Sequence, residues 1–264
     1  MIHKRIVVKV GTSTLTHENG ELNLERLERL VRALSELMNR GHEVILVTSG
    51  AIAVGVSALG RDRSGFGVPE KQAAAAVGQS RLMHIYDKLF AEYGHSLAQI
   101  LLSRYNLSAQ EQRVPLLNTI ETLLEWRVLP IINANDAVHP EEILSGQGIF
   151  GDNDTLSAAV AALAGAGLLI LLTDIDGLYT GDPRKDPGAS LIGHVSKITG
   201  ALREGSGGAG SSRGRGGMLS KLDAAETALR EGFDMVVALG KNPEVLYDII
   251  EGKPVGTLFR KEII

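Results

Sequence analysis

Short, unbroken runs of Val, Ile and Leu recur along this chain, with stretches of helical spacing between them. The runs are Arg5–Val10, Glu43–Thr48, Ser96–Leu102, Val128–Asn133, Leu168–Thr173 and Met235–Leu239. A strand with one wet face alternates apolar and polar residues. These runs do not alternate, so both of their faces must be covered. The intervening segments supply the cover. Leu24, Leu27, Leu30, Val31, Leu34, Leu37 and Met38 fall at helical spacing, and Gly41 ends that helix. Further helices are expected over Glu70–Tyr93, Ala109–Trp126, Thr155–Ala164, Leu219–Glu231 and Pro243–Glu251. The pattern predicts an α/β fold with a mainly parallel sheet covered by helices on both faces.

The chain has 264 residues, which fits one large α/β domain or at most two small ones. Aromatic residues make up only 4%, so Val, Ile, Leu and Ala must build the core. A net charge of −4 argues against a nucleic-acid partner, which selects for a basic surplus. With no cysteine, disulfides, zinc-thiolate sites and a cysteine nucleophile are excluded. The basic start is followed by no signal-peptide core, because Lys9 interrupts the first apolar run. The apolar stretch Ala158–Leu172 falls short of the roughly 20 residues of a membrane helix, and Gly165-Ala166-Gly167 divides it into a helix end and a strand start. No membrane association and a cytoplasmic location are expected. Ala137–Gly151 reads as a hairpin or flap, and the Gly- and Ser-rich Arg203–Gly217 as a mobile loop.

Ligands of open parallel sheets bind outside the carboxyl ends of the strands. Here those ends deliver Lys9-Val10-Gly11-Thr12-Ser13, Thr48-Ser49-Gly50-Ala51, Asn133-Ala134-Asn135-Asp136 and Thr173-Asp174-Ile175-Asp176-Gly177. Strand ends are polar in any protein, but several ends this rich in Gly, Ser, Asn and Asp favour a site. Lys9 is the sharpest signal. It sits in a run that should be buried, where an ammonium needs an anion beside it. An edge lysine snorkelling to water is the alternative; Gly11, which allows close backbone approach to a phosphate, favours a ligand. Gly151-Asp152-Asn153-Asp154-Thr155 opens an alanine-rich helix. One cap needs one such residue, and the surplus points to ligand binding at a helix start. Gly214-Arg215-Gly216-Gly217-Met218-Leu219-Ser220-Lys221 reads equally as a phosphate-binding loop or as a linker with a surface lysine.

Other signals are discounted. Gly205-Ser206-Gly207-Gly208-Ala209-Gly210 fits a dinucleotide fingerprint in letters only, because no strand precedes it. There is no G-x-x-x-x-G-K-[ST] loop and no metal-binding histidine spacing, and His84 and His95 read as surface or satisfied edge residues.

Taken in order, the motifs Val7-Val8-Lys9-Val10-Gly11-Thr12-Ser13, Val47-Thr48-Ser49-Gly50-Ala51-Ile52, Lys71-Gln72 through Gly78-Gln79, Asn133 to Asp136, Gly151 to Asp154, Leu172-Thr173-Asp174, Gly177 to Thr180, Gly216-Gly217-Met218 with Lys221, and Gly256 to Phe259 resemble those of glutamate 5-kinases. The resemblance covers essentially the whole chain. It implies the three-layer αβα sandwich of the amino-acid kinase fold in a single domain, with an acceptor-binding part over roughly residues 1–165 and a nucleotide-binding part over roughly 166–264. It implies ATP-dependent phosphorylation of the L-glutamate side-chain carboxylate, the first step of proline biosynthesis. Lys9 and Lys221 would neutralise the phosphoryl group in flight, with Asp154 holding them. Ser49, Asp136 and Asn153 would bind glutamate. Lys9, Gly11, Thr173, Asp174, Arg215, Gly216, Gly217, Met218, Leu219, Ser220 and Lys221 would bind ATP. Mg²⁺ would arrive with ATP. The resemblance also implies proline as feedback inhibitor, a homo-oligomer, and hand-over to glutamyl phosphate reductase. Arg215 stands where family members usually carry Thr, and no segment resembles the C-terminal PUA domain of many relatives.

Two alternatives stay open on sequence alone. One is another amino-acid kinase, acting on acetylglutamate, aspartate or UMP; Asp136 suits a free ammonium and speaks against the first. The other is a non-catalytic sensor of glutamate or proline, which the presence of Lys9, Lys221 and Asp154 disfavours.

Overall fold

The computed structural model describes residues 4–17, 19–62, 64–138, 153–181, 183, 186–205 and 217–262. Strand β1 (Arg5–Val10) lies at the centre of an eight-stranded sheet. The other members are β2 (Glu43–Val47), β3 (Leu97–Leu102), β4 (Leu129–Ala134), β5 (Leu168–Thr173), β8 (His194–Val195), β9 (Asp234–Leu239) and β10 (Thr257–Phe259), in the order β3-β4-β2-β1-β5-β9-β10-β8. Every pairing is parallel except that of β10 with β9. A separate two-stranded ribbon pairs β6 (Leu178–Tyr179) with β7 (Leu191–Ile192).

The two faces of β1 go into different cores. Ile6, Val8 and Val10 pack with α2 (Leu24–Asn39), α4 (Val68–Ala91) and α10 (Val245–Ile250). Val7 packs on the other face with α6 (Gln110–Glu125), α7 (Asn153–Leu163) and α9 (Met218–Glu231). These are the three layers expected from unalternating strands. Successive side chains on a strand point to opposite faces, so Lys9 shares Val7's face and is directed toward the α7–α9 layer. Helix α2 shows why the layers hold. Its Leu27, Leu30, Val31, Leu34 and Leu37 are buried along one stripe, Asn23 caps its first turn by accepting from the Arg26 amide at 3.0 Å, and Gly41 leaves it with φ +90°. Each buried Leu contributes about 1.5–3 kcal/mol of transfer free energy.

The principal elements lie within a few residues of their expected bounds. Other elements have no counterpart in the pattern: α1 (Thr12–Leu15), α3 (Ala51–Ala58), α5 (Arg104–Ser108), α8 (Gly200–Gly205) and the short strands β6, β7, β8 and β10. Helix α3 is apolar on every face and largely buried, so it carries no helical period. It lies against α4 so closely that a Cβ on Gly55 would meet the Ala74 carbonyl oxygen at 1.8 Å, and one on Gly78 the Ala51 oxygen at 1.8 Å. His84 is exposed as expected, but His95 is not a satisfied edge residue: its Nε2 is buried without a hydrogen-bond partner among the described residues. The expected flap at Ala137–Gly151 and the loop at Arg203–Gly217 fall mostly outside the described residues.

β2 and β5 flank β1, so the chain leaves β1 toward one side and returns to the other only after α7. A reversal of this kind opens a crevice at the carboxyl ends of the central strands.

Candidate active site

Lys9 is the next-to-last residue of β1, in register with Val47 of β2 and Leu171 of β5. It is only 6% exposed, so it does not snorkel to water. Its Nζ lies 2.5 Å from Oδ1 of Asp154, in the first turn of α7. Lys221, 5% exposed on the first turns of α9, places its Nζ 3.0 Å from Oδ2 of the same carboxylate. The Ser220 hydroxyl lies 3.1 Å from that Oδ2 and 2.9 Å from the Gly217 carbonyl, so its one proton is shared between them. Burial pushes the Asp154 carboxyl up, but the charges of Lys9 and Lys221 outweigh it and hold the group below the usual aspartate range. Asp154 is therefore ionised at neutral pH. Among the described residues, two ammonium groups are thus fixed against one buried carboxylate. Such a cluster attracts an anion, and its locked carboxylate is no general base.

The turn after β1 keeps its backbone close to this cluster. A Cβ on Gly11 would lie 3.7 Å from Lys9 Nζ, and the Gly11 amide donates to the Leu172 carbonyl at 3.3 Å. Beside β1, Gly50 begins α3 with φ +97°, a conformation that Gly adopts without strain.

A second constellation is built from amides and hydroxyls. Asn153 Nδ2 donates toward the Thr48 carbonyl at 2.6 Å, Ser49 Oγ at 2.7 Å and Asn133 Oδ1 at 2.9 Å. The ends of β2 and β4 are thus tied to the start of α7. Asp136 lies two residues past β4, half-buried at the same sheet edge. Beneath, the Thr48 hydroxyl is 3.0 Å from the Tyr86 hydroxyl, and Asn133 Nδ2 donates to Gln79 Oε1 at 2.8 Å.

Lys9, Asp154 and Lys221 meet, as do Ser49 and Asn153. Thr173 closes β5, buried, and its hydroxyl lies 3.1 Å from Asp174 Oδ1, with Asp174 itself exposed. Gly217 and Met218 are half-buried at the start of α9, and Leu219 is exposed. Arg215, Gly216 and Asp152 lie outside the described residues. Asn133, Gln79, Thr48 and Tyr86 carried no role in the sequence reading. Asn133 and Gln79 had stood there as motif letters; the Tyr86 contact had no signal, because it depends on how α4 lies under the sheet.

Residues 4–238 match the family model described as the amino acid kinase family. A glutamate 5-kinase of Clostridium perfringens is 52% identical over 258 residues, covering 97% of this chain and 95% of that one. The chain belongs to the amino acid kinase family, and within it to the glutamate 5-kinases. A longer relative, the glutamate 5-kinase of Caldanaerobacter subterraneus, is 50% identical over 255 residues, covering 97% of this chain and 67% of that one. Among solved structures, the UMP kinase of Bacillus anthracis superposes with a TM-score of 0.65 at 16% identity, covering 100% of this chain and 98% of that one. The carbamate kinase of Giardia lamblia bound to AMP-PNP does so with a TM-score of 0.67 at 16% identity, covering 98% and 99%. At that identity the two structures show the shared α/β fold. The sequence motifs place this glutamate 5-kinase family member within it.

Proposed function

We propose that this chain transfers the γ-phosphoryl group of ATP to the side-chain carboxylate of L-glutamate, giving L-glutamyl 5-phosphate and ADP for proline biosynthesis in the cytoplasm. The observation that carries the reading is the buried Lys9–Asp154–Lys221 cluster beside the Ser49–Asn153 pair. A carboxylate nucleophile, with an ordinary pKa near 4.3, needs no base at neutral pH. What it needs is relief from repulsion as two anions approach in line, and that is what two fixed ammonium groups supply. Lys9 and Lys221 stabilise the phosphoryl oxygens, and Asp154 holds both lysines in place. Ser49, Asn153 and Asp136 receive the amino acid: the Ser49 hydroxyl suits its carboxylate, and Asn153 Oδ1 and Asp136 suit its ammonium. Gly11, Thr173, Asp174, Gly217, Met218, Leu219 and Ser220 serve the nucleotide with the two lysines, and the family motif adds Arg215 and Gly216 to that role. On this reading the acceptor part spans roughly residues 1–165 and the nucleotide part roughly 166–264 of one domain.

Mg²⁺ bound with ATP would supply screening of the phosphate charge. It needs oxygen ligands, which the phosphates and water provide. This chain's own groups at the cluster are ammonium ions held by an engaged carboxylate, and they address phosphate oxygens rather than the ion. The family reading also brings proline as an inhibitor, a homo-oligomeric assembly and delivery of the labile acyl phosphate to glutamyl phosphate reductase. No described helix is long and apolar enough to cross a membrane.

The test is ADP release with L-glutamate, N-acetylglutamate, aspartate and UMP as acceptors. Release with glutamate at least tenfold faster than with the other three is expected. Release with another acceptor and none with glutamate would overturn the reading.

A further inference from the structure

The hydrogen bonds beneath the acceptor end reach one residue beyond the roles assigned above. Gln79 is buried on α4, and its Oε1 accepts from Asn133 Nδ2 at 2.8 Å. Asn133 Oδ1 in turn accepts from the Ala134 amide at 2.9 Å and from Asn153 Nδ2 at 2.9 Å. Backbone groups with a single role set the sense of this relay at both ends. The Ala134 N–H only donates, so the Asn133 atom against it is the oxygen. The Thr48 carbonyl only accepts, so the Asn153 atom 2.6 Å from it is the nitrogen. The Asn133 nitrogen is thereby turned to Gln79, which supplies its acceptor. Gln79 itself is held in place by the backbone contact of α4 with α3 at neighbouring Gly78.

At the far end of the relay, Gln79 Nε2 is buried with no hydrogen-bond partner among the described residues. An orphaned buried donor costs stability; an apolar side chain of the same length would remove this one but would leave Asn133 Nδ2 without its acceptor. The amide is poorly explained by packing and well explained by what its oxygen does.

We propose that Gln79 is a positioning residue for the acceptor amino acid, acting through Asn133 to hold Asn153 in one amide orientation. In that orientation Asn153 Oδ1 is the oxygen left to accept from the substrate ammonium. Ser49 Oγ, which accepts from Asn153 Nδ2 at 2.7 Å, keeps its own proton for a substrate carboxylate. A flipped or loosened Asn153 would present the wrong polarity to both groups. The inference rests on the reading of the acceptor as glutamate.

The experiment compares Gln79→Met and Gln79→Glu with the unaltered chain, measuring KM for glutamate, KM for ATP, kcat and melting temperature. Gln79→Met removes the acceptor and should raise KM for glutamate about tenfold, the effect of one lost hydrogen bond. KM for ATP and kcat should stay within about twofold. The melting temperature should change little, since Asn133 Nδ2 becomes the orphan in place of Gln79 Nε2. Gln79→Glu keeps an oxygen against Asn133 and should recover most of the glutamate affinity. A Gln79→Met enzyme with unchanged KM for glutamate would overturn the role. So would parallel losses in both KM values, kcat and melting temperature that Gln79→Glu shares, because those mark packing alone. If the unaltered chain does not turn over glutamate, the acceptor reading itself has failed, and the two failures are distinct.

Discussion

Lys9 and Lys221 meet at one buried carboxylate, Lys9 on Oδ1 of Asp154 and Lys221 on Oδ2. The positive charge of two ammonium ions is thereby fixed at one carboxylate where water is scarce. That charge is available to a phosphoryl group and is already oriented, which is the condition under which fixed charges lower a barrier.

Replacing either lysine by alanine should therefore act on the chemical step. Lys9→Ala and Lys221→Ala are each expected to lower kcat roughly 10²–10³-fold, by analogy with the loss of one transition-state donor. Steady-state kinetics with both substrates varied will check this. A variant that changed only the KM for glutamate would remove that lysine from the phosphoryl path.

Asp154→Asn should damage both activity and stability. It leaves two buried ammonium groups without their anion, and breaking a buried pair costs about 3–5 kcal/mol. Freed lysines also lose their fixed positions, so kcat should fall by at least the amount seen for a single lysine. Urea denaturation and initial rates measure the two effects separately. Lower stability with normal kcat would reduce Asp154 to a structural anion.

The layers were legible because unalternating Val, Ile and Leu runs demand cover on both faces, and β1, β5 and β9 lie in such runs. Lys9 was legible because it offends that pattern. Helix α3 was not, since a helix buried all round shows no period, and its contact with α4 depends on Gly55 and Gly78 in three dimensions. Strand β10 was hidden by its length. It holds three residues, and its approach to β9 needs Gly256 at φ +66°, where a Cβ would meet the Val237 oxygen at 2.0 Å. The pairing of Asp154 with Lys9 and Lys221 could be named from family resemblance but not from spacing, for the three residues sit on β1, α7 and α9. Gln79 and Tyr86 appear only when α4 is laid beneath the ends of β2 and β4.

Ser49→Ala and Asn153→Ala should chiefly raise the KM for glutamate and leave nucleotide binding nearly intact. Both residues belong to the amide and hydroxyl constellation rather than to the lysine cluster. A lost hydrogen bond to a charged group is worth about 1.5–3 kcal/mol, which corresponds to roughly 10–150-fold in affinity. Calorimetric titration with each ligand will check it. Weakened ATP binding with normal glutamate binding would move these residues to the nucleotide side.

The depressed Asp154 carboxyl makes a prediction about acid stability. Its folded pKa lies below its unfolded value of about 3.9, so the unfolded chain binds the proton more readily. Its contribution is fully present above about pH 4 and is lost as pH falls through that value toward the lower folded pKa. Between pH 5 and 9 this group should leave stability flat. Denaturation free energies measured from pH 2 to 6 should show a steeper acid fall in the unaltered chain than in Asp154→Asn. Equal slopes would mean that the carboxylate is not held by the lysines in solution.

Proline should inhibit in competition with glutamate. It keeps the α-carboxylate and a charged α-nitrogen of glutamate but lacks the γ-carboxylate that receives the phosphoryl group. Ser49, Asn153 and Asp136 address the shared end, so the same groups can hold either molecule, while no γ-carboxylate is present to receive the phosphoryl group when proline is bound. Two ligands that use one set of groups exclude each other, and the apparent KM for glutamate should then rise linearly with proline while kcat stays constant. Initial rates over a grid of both concentrations will show this, and Asn153→Ala should weaken proline inhibition and glutamate binding together. Should proline lower kcat at saturating glutamate without moving its KM, the inhibitor binds elsewhere and the shared-site explanation is wrong.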